Sequence, residues 1–293
     1  MTPRSSLAVL LTCCFISPLR LSAWWETGHQ AIARIAAAHL TPAARTRVAR
    51  ILDVPDTPEA VADALARAST WADETKKDTN TGAWHYIDLT LQDTKSDIPA
   101  RCPGDNCAPA RIRLFAAELA SHPADARWSQ LDALRYVVHF VGDVHQPLHT
   151  ISDADLGGNC ELLDPPIDKA KNLHALWDGV LVDALNPNDK LLAADLEHEI
   201  LGFGAKQERE AAAGNQDDWV WQSHQLAQRI IYQRFQIPVE PVEFPQGCQD
   251  APSAITQFQL HIDTAYIDEM KPIVRLQLEK AGLRLAKILN QSL

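Results

Sequence analysis

Two His-x-x-x-Asp pairs carry most of the chemical potential of this sequence: His139 with Asp143 in His-Phe-Val-Gly-Asp, and His174 with Asp178 in His-Ala-Leu-Trp-Asp. Residues four apart on a helix share one face, so each pair can offer an imidazole nitrogen and a carboxylate to the same partner. A single pair of this kind is commonly a solvated ion pair. Two of them on mainly apolar helices ask for more: Asp143 stands beside Phe140, Val141 and Val144, and a buried carboxylate must be paired, protonated or bound to a cation. Further candidates are His29, Asp73 in Ser-Thr-Trp-Ala-Asp, His85 in Trp-His-Tyr-Ile-Asp, and His149 in His-Gln-Pro-Leu-His. Mixed imidazole and carboxylate donors suit Zn²⁺ with a position left open for water or substrate. Calcium would ask for more oxygen, and without thiolates a structural zinc finger is disfavoured. The donor set therefore reads as catalytic zinc.

Helices are the elements that must position these groups. Apolar residues recur at three- and four-residue spacing in 28–39, 43–53, 58–69, 109–121, 130–146, 168–184, 217–235 and 252–290. Thr41-Pro42 and Thr57-Pro58 read as caps followed by proline in the first turn. Strand alternation is scarce; residues 84–91 could form a short strand or extended segment, and 244–252 reads as loop. The expected fold is a single all-α domain with functional loops at 70–108, 150–166 and 236–251.

Composition sets the outer bounds. With 293 residues, 46% apolar and 22% charged, the chain is long enough to bury its own core. Its 27 basic and 38 acidic residues give a formal charge of −11, which lacks the basic footprint of a typical nucleic-acid binder. Residues 1–23 read as a secretory signal cleaved after Ala23: Arg4 supplies the positive start, Leu7 to Ile16 the apolar stretch, and Leu21-Ser22-Ala23 the small-residue end. An apolar first helix is the competing reading, disfavoured by Pro18 and Arg20. Removal of Arg4 and Arg20 leaves 25 basic residues against 38 acidic, a formal −13. No later segment has the ~18 apolar residues needed to span a membrane. Cys13 and Cys14 leave with the signal, and Cys102, Cys107, Cys160 and Cys248 allow three pairings. Export favours disulfides, and the short spacing of Cys102 and Cys107 suggests a local loop, with Cys160 then tied to Cys248.

The ordered blocks Trp24-x-x-x-Gly28-His29, Ser69 to Asp73, Trp84-His85-Tyr86-Ile87-Asp88, His139 to His149, Gly157-Gly158-Asn159 and Asn172 to Asp178 resemble the zinc-dependent single-strand nucleases of fungi and plants, which have bacterial relatives. The resemblance runs from Trp24 to about Asp178, and the closing segment 280–286 fits too. It implies a mostly helical fold of the phospholipase C and single-strand nuclease type, with three zinc ions at the bottom of a cleft. The first ion would be held by Asp73, His85, His139 and Asp143, and the second by His149, His174 and Asp178. The third would take His29, Asp143 as a bridge, and the α-amino nitrogen and carbonyl oxygen of Trp24, which makes signal removal part of the mechanism. The implied activity is an exported endonuclease acting on RNA and single-stranded DNA to leave 5′ phosphates, with 3′-nucleotidase activity. Asp73, Lys76 and Asp143 are the catalytic candidates. Lys76 would face the phosphate, its bland alternative being a solvated member of the charge run 74–78. Tyr86 would stack a base, with ordinary core packing as its alternative. Asn159 would bond the base edge, and Asp88 would contact the base or support the ligands. Stacking tolerates any base and needs one free of a duplex. The stretches Asp153-Ala154-Asp155-Leu156 and Cys160-Glu161 depart from the typical pattern and bear on substrate range.

Two other readings compete. A zinc phospholipase C shares the metal arrangement and the N-terminal tryptophan, but its usual last ligand is glutamate where this chain has Asp178. A non-catalytic exported zinc-binding protein predicts metal without turnover. The expected partners are single-stranded DNA, RNA and 3′-nucleotides, with no membrane anchor and no protein partner; the expected state is a secreted or periplasmic monomer. His145 lies off the face of His139 and Asp143 and is expected behind the ligands as a support. His39, His122, His198, His224 and His261 read as surface or capping residues, and Trp71, Trp84 and Trp177 are expected to wall the cleft. Three Zn²⁺ would bring the mature chain to about −7, with the positive charge in one place.

Overall fold

The computed structural model describes residues 24–121, 127–238 and 245–293; the signal reading of 1–23 and the surface reading of His122 lie outside the described residues. Helix α1 (Glu26–Ala38) buries His29, Ile32, Ala33, Ile35, Ala36 and Ala37, covering most of its circumference. A helix apolar nearly all round belongs in the interior, and α1 is the central one. Thr41 caps α2 (Pro42–Leu52) by accepting from Ala44 N at 3.2 Å, and Thr57 caps α3 (Pro58–Ala68) from Ala60 N at 3.3 Å. Both Thr-Pro signals thus start helices. Next come α4 (Trp71–Thr79), α5 (Ala108–Ser121) and α6 (Gln130–Asp143), the last capped by Ser129.

The following segment departs from the helix expected over 168–184. Strand β1 (Leu162–Ile167) pairs antiparallel with β2 (Ala170–Asn172), and β3 (Gln259–Leu260) joins β1 in parallel on its other side. Only at Asn172, whose side chain accepts from Ala175 N at 2.8 Å, does α7 (Leu173–Ala175) begin. It continues through a π turn (Leu176–Val180) into α8 (Leu181–Asp183). The rest comprises α9 (Asp189–Leu201), α10 (Ala205–Ala211), α11 (Gln216–Ala227), a second π turn (Gln228–Tyr232), α12 (Gln233–Phe235), α13 (Ser253–Thr256) and α14 (Thr264–Ser292). Helix α14 starts later than its periodicity suggested because Asp263 caps it, accepting from Tyr266 N at 2.8 Å. Residues 84–91 form no strand; a 3₁₀ turn (Gly82–His85) leads into an extended run.

Packing is helix on helix, with α1 contacting α3, α9 and α14 and α5 contacting α6. Between α5, α6 and the 3₁₀ turn lies an aromatic cluster: Phe115 stacks on Tyr136 at 4.7 Å, Tyr136 on Phe140 at 5.2 Å, and Trp84 meets Tyr136 edge-on at 5.4 Å. Rings packed this closely hold α6 and the turn in one rigid relation. Both expected disulfides are present, Cys102–Cys107 and Cys160–Cys248. Among the described residues no helix is long and apolar enough to cross a membrane.

Candidate metal centre

Asp143, at the end of α6, is fully buried and points one oxygen each way. Oδ1 lies 3.3 Å from His29 Nε2 on α1, while Oδ2 lies 3.1 Å from His85 Nδ1 and 3.3 Å from His139 Nε2. Asp73, at the start of α4, places Oδ1 3.5 Å from His85 Nδ1 and Oδ2 3.7 Å from His139 Nε2. The second His-x-x-x-Asp pair crosses from α7 into the π turn, with His174 Nε2 3.3 Å from Asp178 Oδ2 and His149 Nε2 3.7 Å from Asp178 Oδ1. Helices with a π turn expose side chains that a regular helix would offset, often at functional sites.

Donor atoms converge in three groups, each within 4.8 Å: His29, Asp73 and His139; His85, His139 and Asp143; His149, His174 and Asp178. The last coincides with the set expected for a second ion. The first two overlap through His139, and the His29 ring stacks on His139 at 4.0 Å, so His29 also lies near residues assigned on sequence to another ion. Trp24 is fully buried, its Nε1 donating to Gly142 O at 3.0 Å. Trp25 N donates to Asp178 O at 2.7 Å, and its indole fills the space where a Cβ on Gly179 would lie. The start of the described chain is thereby tied to both ligand-bearing helices.

The donors are prepared for a cation. Nδ1 of His139, His149 and His174 each bonds a backbone carbonyl, of Ser69 at 2.6 Å, His85 at 2.9 Å and Gly157 at 2.7 Å. A ring whose Nδ1–H donates in this way keeps the Nε2 lone pair for a metal. Both His29 nitrogens, His85 Nε2, His149 Nε2 and both Asp143 oxygens are buried with no hydrogen-bond partner, a costly arrangement unless a ligand satisfies them. Burial pushes His139 down to about 3 and lowers His174, so these rings are neutral. For His149 burial works in the same direction, but Asp178 and Asp143 outweigh it and raise the ring to about 9; a cation at that nitrogen competes with a proton. Burial also opposes the charge on Asp143, yet the facing imidazoles hold it well below the usual carboxylate range. Nitrogen and carboxylate donors without thiolate fit zinc.

A cleft of about 740 Å³ opens over these groups. Lys76, Tyr86, Asp88 and Asn159 line it with Asp73, His85, His149, His174 and Asp178. Lys76 Nζ donates to Asp73 Oδ1 at 2.9 Å. Tyr86 is 40% exposed at the rim, which sets aside core packing. Asp88 is raised to about 7, by burial first and by Asp155 second. Asn159 Nδ2 donates to Leu156 O at 2.9 Å.

Some expectations need correction. His145 faces away from the centre: Nδ1 bonds Val141 O at 2.7 Å and Nε2 accepts from Arg284 at 2.8 Å, so it ties α6 to α14 and touches no ligand. Trp71, Trp84 and Trp177 are not among the cleft-lining residues; Trp84 belongs to the aromatic cluster, and Trp71 packs under Arg135 at 4.8 Å. His224 is fully buried, stacked on Trp221. His39 pairs with Glu197 at 3.3 Å, and His198 and His261 lie at the surface. Gln146 was missed: its Nε2 donates to Asp178 Oδ1 at 2.6 Å and orients that carboxylate. Its place between His145 and Pro147 in the histidine block was the available signal.

Comparison with known proteins agrees with this geometry. The S1/P1 nuclease family model matches residues 24–293. Endonuclease 3 of Arabidopsis thaliana is 26% identical, the match covering 92% of this chain and 88% of the relative. Nuclease P1 of Penicillium citrinum is 24% identical over 92% of this chain and 97% of its own, and nuclease S1 of Aspergillus oryzae is 32% identical over 53% of each. S1/P1 nucleases are zinc-dependent phosphodiesterases of the all-α, phospholipase C-like fold. With the match running from Trp24, beside the His/Asp centre, to the last residue of α14's tail, this chain belongs to the S1/P1 nuclease family.

Proposed function

We propose that residues 24–293 form a single exported domain that hydrolyses phosphodiester bonds of RNA and single-stranded DNA, leaving 5′ phosphates, with 3′-nucleotidase activity at the same centre. The observation that carries the reading is Asp143, buried and facing His29 through one oxygen and His85 with His139 through the other. That arrangement supports three zinc ions per chain: Asp73, His85, His139 and Asp143 for one; His149, His174 and Asp178 for another; and His29, Asp143 and the Trp24 amine and carbonyl for the third. When bound, zinc supplies Lewis acidity towards phosphate and a lowered pKa for water.

The chain's own residues do the rest. Asp73 holds Lys76 at the cleft, where the ammonium offers a point charge to a phosphate oxygen. Tyr86 presents an exposed ring on which an unpaired base can stack, and Asn159 and Asp88 meet base edges. Asp88, near half-protonated at neutral pH, can donate to one base and accept from another, which suits loose base preference. Attraction of a polyanion comes from the local field of the centre, so the acidic surface favours release of short products. The family match favours a nuclease over a phospholipase C or a non-catalytic zinc-binding protein. Export as a monomer to the periplasm or medium, with cleavage before Trp24, completes the reading.

The test is N-terminal sequencing and metal analysis of the mature protein with a substrate panel. A Trp24 start, three zincs, and cleavage of single strands in preference to duplex are expected. Hydrolysis of phosphatidylcholine without nucleic-acid cleavage, or at most one zinc on a correctly started chain, overturns the proposal.

A further inference from the structure

Residues 154–158 hold an uncommon backbone. Ala154, Leu156, Gly157 and Gly158 all have positive φ, at 65°, 54°, 61° and 79°, a left-handed region that residues with a Cβ rarely adopt. Such a conformation persists only where its surroundings over-determine it. Asp155, in the middle of the run, does so. Its carboxylate is fully buried; Oδ1 accepts from Asp153 N at 3.0 Å and Gly157 N at 3.1 Å, and Oδ2 from Gly158 N at 2.9 Å and the Tyr232 hydroxyl at 2.6 Å. Its backbone carbonyl takes a further bond from Cys160 N at 3.0 Å. Three of the four carboxylate bonds shape the loop locally, and the fourth fixes it to Tyr232, 77 residues on.

The carbonyls of the same two glycines serve the metal centre. Gly157 O accepts from His174 Nδ1 at 2.7 Å, and Gly158 O accepts from His174 N at 3.1 Å. Asp155 thus holds the N–H groups of Gly157 and Gly158 while His174 takes their carbonyls. That arrangement keeps His174 Nε2 free beside Asp178 Oδ2, 3.3 Å away. Tyr232 is buried at the end of the second π turn, and Asp178 lies in the first. Both irregular turns, a feature common at functional sites, therefore act on the same half of the centre. Asn159 follows directly, with its N at 3.3 Å and its Nδ2 at 2.9 Å from Leu156 O, so the residue at the cleft is carried by the same loop.

We infer that Asp155 and Tyr232 are positioning residues: through Gly157 and Gly158 they set the orientation and tautomer of His174, and with it the affinity of the metal position formed by His149, His174 and Asp178. Neither touches substrate or metal. The identity of the metal rests on the nuclease reading above; the chain of hydrogen bonds from Tyr232 to His174 does not. Removing the Tyr232 hydroxyl leaves a buried carboxylate short of one charge-assisted bond and frees the left-handed loop from the second π turn.

Tyr232→Phe keeps the ring and removes the hydroxyl. Zinc per chain is measured on the zinc-loaded protein across a graded series of chelator concentrations, with turnover of single-stranded DNA followed in parallel. One zinc should leave the variant at a chelator concentration at least about tenfold lower than in the wild type, the remaining zinc staying bound. The kcat should fall with that zinc and return in excess zinc. Asp155→Asn, which sets an amide donor against donors already in place, should have the same effect more strongly. Thr41→Ala, which removes the cap of a helix without metal ligands, serves as the control: it lowers stability and should leave zinc affinity unchanged. Wild-type zinc affinity in Tyr232→Phe overturns the inference, as does equal weakening of all the zinc or a matching loss in Thr41→Ala. Should Asp155→Asn fail to fold, Tyr232→Phe decides by the same criteria. Wild-type zinc content and activity judge the nuclease reading separately: an active, zinc-replete wild type beside an unaltered Tyr232→Phe sinks the positioning role alone.

Discussion

The imidazole of His29 occupies the space that a side chain on Gly142 would fill: a Cβ there would lie 2.8 Å from Nδ1 and 3.0 Å from Cε1. Helices α1 and α6 bring His29 to Asp143 because position 142 carries no side chain. Gly142→Ala gains up to about 1 kcal/mol of helix propensity but displaces the ring. The expected outcome is a folded protein that has lost zinc and most of its activity, read by metal analysis beside thermal unfolding. Full metal content with full activity would show that the contact yields without consequence.

Asp143→Asn keeps the shape and removes the charge that faces both donor groups. Activity should fall by more than about a hundredfold, with weaker binding of more than one zinc. An active variant with a full zinc complement would sink the bridging assignment.

Tyr86→Ala removes the ring at the cleft rim. Base stacking is worth about 1–3 kcal/mol, so KM for single-stranded substrate should rise about 5- to 150-fold while zinc content holds. Tyr86→Phe should stay close to wild type. Equal kinetics for all three forms would remove the stacking role.

Glu161 makes stability depend on pH. Its folded-state value of about 8 lies above the ordinary 4.5, so between these the folded protein holds a proton that the unfolded chain has released. Stability should therefore fall as pH rises from about 4.5 towards 8. Asp155, which raises Glu161 after burial, stays in place in Glu161→Gln, which should flatten the slope. Chemical denaturation at several pH values measures the slope, and identical slopes in variant and wild type would refute the account.

Much of the centre was legible as sequence because its information is local. Helical periodicity puts His139 over Asp143 and His174 over Asp178 whatever the rest of the chain does, and Thr41-Pro42 and Thr57-Pro58 announce helix starts by satisfying the first free N–H groups. The mixed nitrogen and oxygen donors, without thiolate, point to zinc for reasons of ligand chemistry alone. Spacing likewise pointed to the Cys102–Cys107 loop, from which Cys160–Cys248 followed. The β1–β2 hairpin was hidden because Leu162 to Ile167 is mostly exposed and contains two prolines, leaving no alternation to read.

The residue types and their spacing determined a helical chain with zinc-type donors on two helices. Only the tertiary structure decided what each donor faces. Ser69, 70 residues before His139, supplies the carbonyl that sets its tautomer, and His85 does the same for His149 across 64 residues. His145, inside the same histidine block, is turned towards Arg284 instead, 139 residues on. Glu161 is buried with neither oxygen hydrogen-bonded, which nothing in its local sequence announces. Periodicity governs a side chain's direction on its own helix, whereas burial, tautomer and charge balance depend on the groups that distant segments bring against it.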